Sequence, residues 1–421
     1  MATWRNWSGS VTAQPAAVES PRSLAELQAL VAAARSVRVA GAGHSFMPLC
    51  ETHGLLLHLA DMEGEIAVCD DGVSAWVPAG WPIHRLTAAL WERRLSLANQ
   101  GDIDKQAIAG ALSTGTHGTG LTLGSISTQA LAFRLVGADG AVVECDATAD
   151  PDLFQATRLG LGMLGVMTQV KLALKPAYRL RETLRAERLE AVLADWDVLT
   201  AAHRHVEFFV FPYADRALVK TLDPVDAGDD PPASDIENAA LQFISDVTAA
   251  APFLAPTLQR LVSALMSSST RAAPAYRIFP SERATLFEEM EYEIPAAAGP
   301  DALRAAIAEV RLRRFPIIFP FEFRTVAQDD IWLSPMHVGP CVSISVHQYA
   351  RMNWKAPFAA VEPVFAAAGG RPHWAKRHSL TSADVLRLYP MARRWGEVRR
   401  RVDPAAKFMN ASLRDLFAFS L

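Results

Sequence analysis

Val37-Arg38-Val39-Ala40-Gly41-Ala42-Gly43-His44-Ser45-Phe46 passes directly from a β-branched strand into a loop of small residues that ends in an imidazole and a hydroxyl. Such a loop lets backbone N–H groups approach a ligand closely, because glycine and alanine put almost nothing in the way. Just upstream, Ser23 and Glu26 have the spacing of a capping box, and Leu24, Leu27, Leu30, Val31 and Ala34 mark the apolar face of a helix. Helix, strand and loop in this order make residues 41–45 a candidate binding site.

Further along, Gly110-Ala111-Leu112-Ser113-Thr114-Gly115-Thr116-His117-Gly118-Thr119-Gly120 collects glycines, hydroxyls and a second imidazole. Backbone donors interleaved with side-chain donors suit a pyrophosphate or a polar ring edge. By itself the run reads equally well as a structural glycine turn; taken with residues 41–45 it predicts a dinucleotide held between two loops. A Rossmann fingerprint needs glycine where this chain has Phe46, which disfavours a nicotinamide site. The serine-hydrolase elbow matches Gly43-His44-Ser45, but Met47 stands where its tight turn needs a second glycine.

Around these loops the pattern predicts short strands near 55–59, 65–69 and 73–77, a helix over 83–93, and a hairpin of 130–136 with 141–145, turning at Asp139-Gly140. A helix over 152–159 follows, and Gly160, Gly162 and Gly165 lead into an alternating strand over 166–172. Beyond Tyr178, helices over 236–249 and 257–266 mix with strands over 317–324 and 341–347, and residues 223–234 read as a surface loop rich in Asp, Pro and Gly. The expected class is α+β with two domains, divided near residue 177.

Forty-one Lys+Arg against 45 Asp+Glu leave a formal charge of -4 in 421 residues, of which 50% are hydrophobic, so a globular chain is expected. Arginines gather only at Arg393-Arg394 and Arg399-Arg400-Arg401, expected as one solvated helix face, which argues against a nucleic-acid partner. Cys50, Cys69, Cys145 and Cys341 lie far apart without C-x-x-C spacing, predicting neither a metal site nor a disulfide framework and fitting a reducing compartment. The N-terminus lacks a signal-peptide core, and no apolar run is long enough to span a bilayer. A cytoplasmic protein without a membrane partner is the reading.

Two later groups carry chemistry. In Glu322-Phe323-Arg324 the period of a strand puts a carboxylate and a guanidinium on one face, with Phe321 and Phe323 on the other. His373-Trp374-Ala375-Lys376 again sets a cation among aromatic groups, just after Gly369-Gly370-Arg371-Pro372. A structural ion pair and an amphipathic strand end are the plain alternatives.

Gly43-His44-Ser45, Gly101-Asp102-Ile103, the run 108–120, residues 160–165, Glu322-x-Arg324 and His373-Trp374-x-Lys376 occur in an order and spacing that resembles the sugar-lactone and alditol oxidases of the vanillyl-alcohol-oxidase-like FAD-linked family. Asn6-Trp7-Ser8-Gly9 and Asp403-Pro404 through Asn410 resemble that group's two ends, and only about 180–310 is weakly matched. The resemblance implies a two-domain PCMH-type flavoprotein: an α/β FAD-binding domain over 1–177, a mixed-sheet substrate domain over 178–370, and a segment over 371–421 returning to the flavin domain. It implies FAD joined through His44 by a single covalent link, since no cysteine lies between Cys69 and Cys145. Gly41, Ala42, Gly43, His44 and Ser45, with Ser113, Thr114, Gly115, His117, Gly118 and Gly120, would hold the pyrophosphate, and Gly162, Gly165, Val166 and His373 would make further cofactor contacts.

Implied too are the reaction and its groups. A sugar hydroxyl is oxidised, with hydride passing to flavin N5 and electrons to O2 to give H2O2. Arg324 and Lys376 would face the reacting hydroxyl and Glu322 would bind substrate hydroxyls, while a Lys376 made neutral by burial beside a guanidinium could act as base. Asp102, Ser345 and His347 stand where the alditol oxidases differ, marking substrate preference. Gly101-Asp102 is similar to the lactone-oxidising branch, so an aldono-1,4-lactone of the L-gulono or D-arabinono type is expected, with an alditol such as xylitol or sorbitol as the alternative. A small residue at 101 leaves room for oxygen at the flavin, which favours an oxidase over a lactone dehydrogenase. A monomer or small homo-oligomer is expected. A carbohydrate-binding module without flavin is the remaining class of reading.

Overall fold

The computed structural model describes residues 3–228, 236–282 and 284–421. Its first half is built on two small sheets. Leu55–Leu57 runs parallel between Ala17–Glu19 and Val37–Val39, and a five-stranded antiparallel sheet has the order Val142–Asp146, Ala130–Val136, Val166–Ala173, Ser74–Pro78, Ala67–Val68. The helix Leu24–Ala33 covers the parallel sheet with Leu27 and Val31. Ser23 caps it, accepting from the Glu26 N–H at 3.3 Å, but the Glu26 carboxylate accepts from the Arg22 N–H and not from Ser23. Only half of the expected capping box forms, and Leu24 stays exposed at 40%. The hairpin forms as expected, with Val136 opposite Val142. Its Gly140 sits at φ +84°, where a Cβ would meet the Gln28 carbonyl oxygen at 2.7 Å, so no larger residue fits.

The second half centres on an eight-stranded antiparallel sheet in the order Ser269–Pro274, Arg179–Arg188, Arg216–Val225, His205–Val210, Phe321–Val326, Cys341–Tyr349, Phe287–Pro295, Arg371–Pro372. Helices Gly299–Leu312 and Lys355–Ala367 cover one face, where Phe208, Phe321, Phe323, Ile344, Val346, Tyr292 and Ile294 form a continuous core. The opposite face is polar and turns toward the first half. Helices Ser382–Leu388, Ala392–Val402 and Ala411–Leu416 then pack through Val385, Trp395, Val398, Leu413 and Phe417 into the same core as Ala75 and Ile83.

Several expectations change. The strand expected from residue 317 begins at Phe321, because Pro316 and Pro320 cannot donate to a ladder. The loop expected over 223–234 is strand as far as Val225, and residues 229–234 lie outside the described part. Residues 108–114, read as glycine-rich loop, form a helix whose apolar Ile108, Ala111 and Leu112 are buried and which ends at Gly115, φ +78°. Arg399 is not on a solvated face: it is 1% exposed and donates to the Asp403 carbonyl oxygen at 2.8 Å and to that of Ser420. Among the described residues no helix is long and apolar enough to cross a membrane.

Candidate active site

A groove with a cavity volume of about 190 Å³ runs between the two sheets of the first half. Gly41, Ala42, Gly43, His44 and Ser45 line one side, residues 106, 107, 109, 110, 113 and 114 a second, and Gly160, Leu161, Gly162, Leu164 and Gly165 a third. Gly41 packs so tightly on the second segment that a Cβ there would lie 2.9 Å from that of Ala107, whereas a Cβ on Gly110 would meet nothing within 4 Å. The small residues therefore both close the walls and leave the interior empty. Gly115, His117, Gly118, Gly120, Val166 and His373 do not line the groove.

Arg38, fully enclosed at the groove's wall, donates to the carbonyl oxygens of Leu49 (2.7 Å), Leu161 (2.8 Å), Gly162 (3.0 Å) and Phe408 (2.5 Å). It ties strand, glycine loop and C-terminal segment together with no carboxylate partner among the described residues. A groove of small residues with a buried, uncompensated guanidinium in its wall fits an elongated anionic cofactor.

His44 closes one end. Its ring stacks on Trp7 at 4.8 Å between centroids, and the Trp7 N–H donates to the Gly43 carbonyl oxygen at 2.9 Å. Burial, with the charge of Lys376 adding to it, lowers the His44 pKa to about 4, so the imidazole is neutral near pH 7. The adjoining Phe46 N–H donates to the Ala375 carbonyl oxygen at 2.7 Å, joining this loop to the Lys376 segment.

Beyond His44 lies the polar face of the large sheet. Glu289, Glu291 and Glu293 alternate along one strand, beside Ser343, Ser345 and His347 on the next and Glu322 and Arg324 on the third. Arg324 donates to Glu291, lies 3.7 Å from Glu322, and shares Glu291 Oε1 with the Ser343 hydroxyl at 2.6 Å. Burial opposes the Arg324 charge, but Glu322, Glu291 and Glu207 outweigh it and hold the guanidinium protonated. Burial likewise opposes ionisation of Glu289 and Glu291; for Glu289 the Lys376 and His347 charges win, for Glu291 those of Arg324, His117 and Lys376, and both pKa values fall.

Lys376 contacts Glu289 and lies 3.7 Å from Glu291. Among the described residues the charged groups within 4 Å of its Nζ are the carboxylates of Glu289 and Glu291 and not Arg324, so the neighbour expected to make it a base is not the one in contact with it. His347 Nε2 sits 3.3 Å from Glu289. Asp102 joins Glu207 and Glu322 in a second acidic group whose oxygens lie within 4.8 Å of one another, with Lys220 Nζ 2.8 Å from Glu207. Burial, added to by Asp102 and Glu322 and opposed by Lys220, raises the Glu207 pKa to about 7. Gly101 backs onto the His117 carbonyl oxygen, 3.0 Å from where a Cβ would be. Ser345 is fully buried with no hydrogen-bond partner for its hydroxyl.

The structure thus brings Glu322, Arg324, Lys376, His347 and Asp102 to one wall. Glu289, Glu291, Glu293, Ser343, Glu207 and Lys220 belong to it as well, and the sequence reading passed over them. The alternation Glu289-Met290-Glu291-Tyr292-Glu293 carried a signal: a strand with one acidic face and one apolar face.

This is the architecture of a two-domain PCMH-type flavoprotein. A model of the FAD-binding domain matches residues 15–146, and a model described as D-arabinono-1,4-lactone oxidase matches residues 170–416. The chain belongs to that lactone oxidase family, and its cofactor is FAD. It is 38% identical to L-gulono-1,4-lactone dehydrogenase of Mycobacterium tuberculosis over 97% of each chain. It is also 30% identical to L-gulonolactone oxidase of Scyliorhinus torazame and to alditol oxidase of a Streptomyces species, each over 98% of both chains. Among solved structures, a solvent-stable cholesterol oxidase superposes with a TM-score of 0.86 at 16% identity, covering 100% of this chain and 97% of the other, a likeness of fold.

Proposed function

We propose that this protein oxidises a ring or chain hydroxyl of an aldono-1,4-lactone, using FAD held in the groove and joined covalently through His44. The observation that carries the reading is the meeting of two cations, the buried Arg324 and the partly buried Lys376, with the carboxylates Glu322 and Glu289 on the wall beyond His44. Bound FAD supplies the hydride acceptor and returns its electrons to O2, so that one hydroxyl oxidised gives one carbonyl and one H2O2.

The chain's own groups do the rest. Arg324 and Lys376 donate to substrate oxygens and stabilise negative charge on the reacting one; Glu322 accepts from neighbouring hydroxyls; the carboxylate-rich wall takes up the hydroxyl proton. His44 is suited to attachment because a neutral imidazole presents the lone pair that a cation lacks. The dehydrogenase relative favours a second reading, in which the same oxidation passes electrons to an acceptor other than oxygen.

A panel of aldonolactones and alditols, run with O2 and with dye acceptors, tests both. Fast flavin reduction by a lactone with H2O2 production supports the oxidase; reduction followed by slow reaction with O2 supports the dehydrogenase. A flavin reduced only by open-chain polyols replaces the lactone with an alditol, and one reduced by neither sinks the assignment.

A further inference from the structure

His117 was expected at the cofactor, but it points the other way. Its segment is sewn into the large sheet: the Gly120 N–H donates to the Thr325 carbonyl oxygen (2.9 Å), Thr119 Oγ1 donates to that of Val206 (2.5 Å), and His205 Nδ1 lies 2.7 Å from the Thr119 carbonyl oxygen. His117 Nδ1 sits 2.9 Å from the Gly118 carbonyl oxygen and so carries a proton. Nε2 faces Glu293 Oε1 at 3.0 Å and Glu291 Oε1 at 3.4 Å. A neutral ring with its proton on Nδ1 would turn a lone pair toward Glu291, whose carboxylate is held ionised. The arrangement suits a ring protonated on both nitrogens, an imidazolium.

We propose that His117 is a positioning residue: an imidazolium that reaches from the flavin-binding half into the large sheet and holds Glu291 where that carboxylate fixes Arg324 and Lys376. The proposal rests on the reading that these two cations face the substrate. Glu291 Oε1 receives Arg324 and Ser343, and its Oε2 lies 3.7 Å from Lys376, so any movement of Glu291 displaces both cations.

The charged groups around His117 are Glu291, Glu293 and, further along that strand, Glu289; Arg324 and Glu322 from the neighbouring strands; and Lys376 and His373 from the segment after Pro372, with the His373 ring 5.8 Å away. Burial opposes the His117 charge, but Glu291 and Glu293 outweigh it and raise its pKa to about 9. Burial also raises the Glu293 pKa, while His373 is kept neutral, its pKa lowered to about 3 by burial and then by Lys376 and His117. The folded-state pKa of His117 is above its unfolded value, so its contribution to stability is complete below about pH 6.5, and the clamp itself is lost as pH rises through about 9.

The test uses the FAD-loaded protein and two readouts: imidazole NMR titration, and anaerobic flavin reduction by substrate as a function of pH. In the wild type one imidazole should titrate near pH 9, and the reduction rate should fall through the same range. Glu293→Gln, which removes the carboxylate charge 3.0 Å from His117 Nε2, should lower that imidazole's pKa by about one unit or more and carry the alkaline limb of the rate profile down with it. His117→Asn should remove the resonance and the limb together, lowering the rate at every pH. A His117 resonance titrating below pH 7, or a limb that stays in place in Glu293→Gln, would overturn the proposal. If no lactone or polyol reduces the flavin, the functional reading fails, and the NMR titration alone still decides whether His117 is the imidazolium clamp.

Discussion

Arg324 and Glu291 meet across a strand that belongs to neither of them. Phe321–Val326 and Phe287–Pro295 each pair with Cys341–Tyr349, and on that middle strand Ser343 stands opposite both Arg324 and Glu293, while Ser345 stands opposite Glu322 and Glu291. Two serines keep the path between guanidinium and carboxylate open, and the Ser343 hydroxyl adds its own hydrogen bond at 2.6 Å. Ser343→Ala should keep the path and lose the bond, slowing flavin reduction about tenfold, on the scale of a hydrogen bond to a charged group. Ser343→Val should be worse, since its branch stands in the path. Equal rates for the two variants would mean that the space above this strand does not matter.

Removing the cations is the harsher change. Arg324→Ala or Lys376→Ala should slow flavin reduction by about 10²-fold or more, with flavin content near normal. Arg324→Ala also leaves Glu291 and Glu322 without their guanidinium, so denaturant unfolding should show a loss of about 3–5 kcal/mol. Full stability with slow reduction would keep the catalytic role and discard the structural one. Rates within a few-fold of wild type would leave Arg324 as a structural ion pair.

How far the sequence announces all this depends on how local each signal is. The strand at Val37, the glycine loop and the Glu322/Arg324 face depend on neighbours within a few residues, and they are readable. The helix over Ile108–Thr114 was hidden because Gly110, Ser113 and Thr114 belong to the vocabulary of loops, although Ile108, Ala111 and Leu112 already had helical spacing. The direction of His117 was not readable at all, for it is set by Glu293, 176 positions away. Arg399 misled for the same reason: its carbonyl partner Ser420 lies beyond the next helix.

Arg38 offers a test of the groove independent of catalysis. Arg38→Met fills similar space but strands four carbonyl oxygens that now accept from the guanidinium. At about 1–3 kcal/mol for each buried group left unsatisfied, the variant should unfold at much lower denaturant and copurify with little FAD. Normal flavin content would show that the wall holds without this anchor.

Covalent attachment at His44 is tested by denaturation. His44→Ala should fold, because its ring packs on Trp7 at the groove's edge and is not enclosed in an apolar cluster. Acid precipitation should leave flavin with the wild-type pellet and release it from the variant. Flavin retained by the precipitated variant would place the link elsewhere.

Gly101 bears on the electron acceptor, and its surroundings make the test more demanding than the sequence suggested. A Cβ at this position would lie 3.0 Å from the His117 carbonyl oxygen and 3.2 Å from Thr116 Cγ2. Gly101→Ala therefore adds a methyl group at the proposed oxygen approach and presses on the segment that carries His117. Oxygen access predicts that reoxidation by O2 falls far more than reduction by substrate, turning the enzyme toward a dye-linked dehydrogenase. Displacement of His117 predicts the reverse, slower reduction with an altered alkaline limb. Stopped-flow measurement of each half-reaction across pH separates the two. An unchanged rate with oxygen would remove position 101 from control of the acceptor, and a wild type already inert to oxygen would establish the dehydrogenase reading.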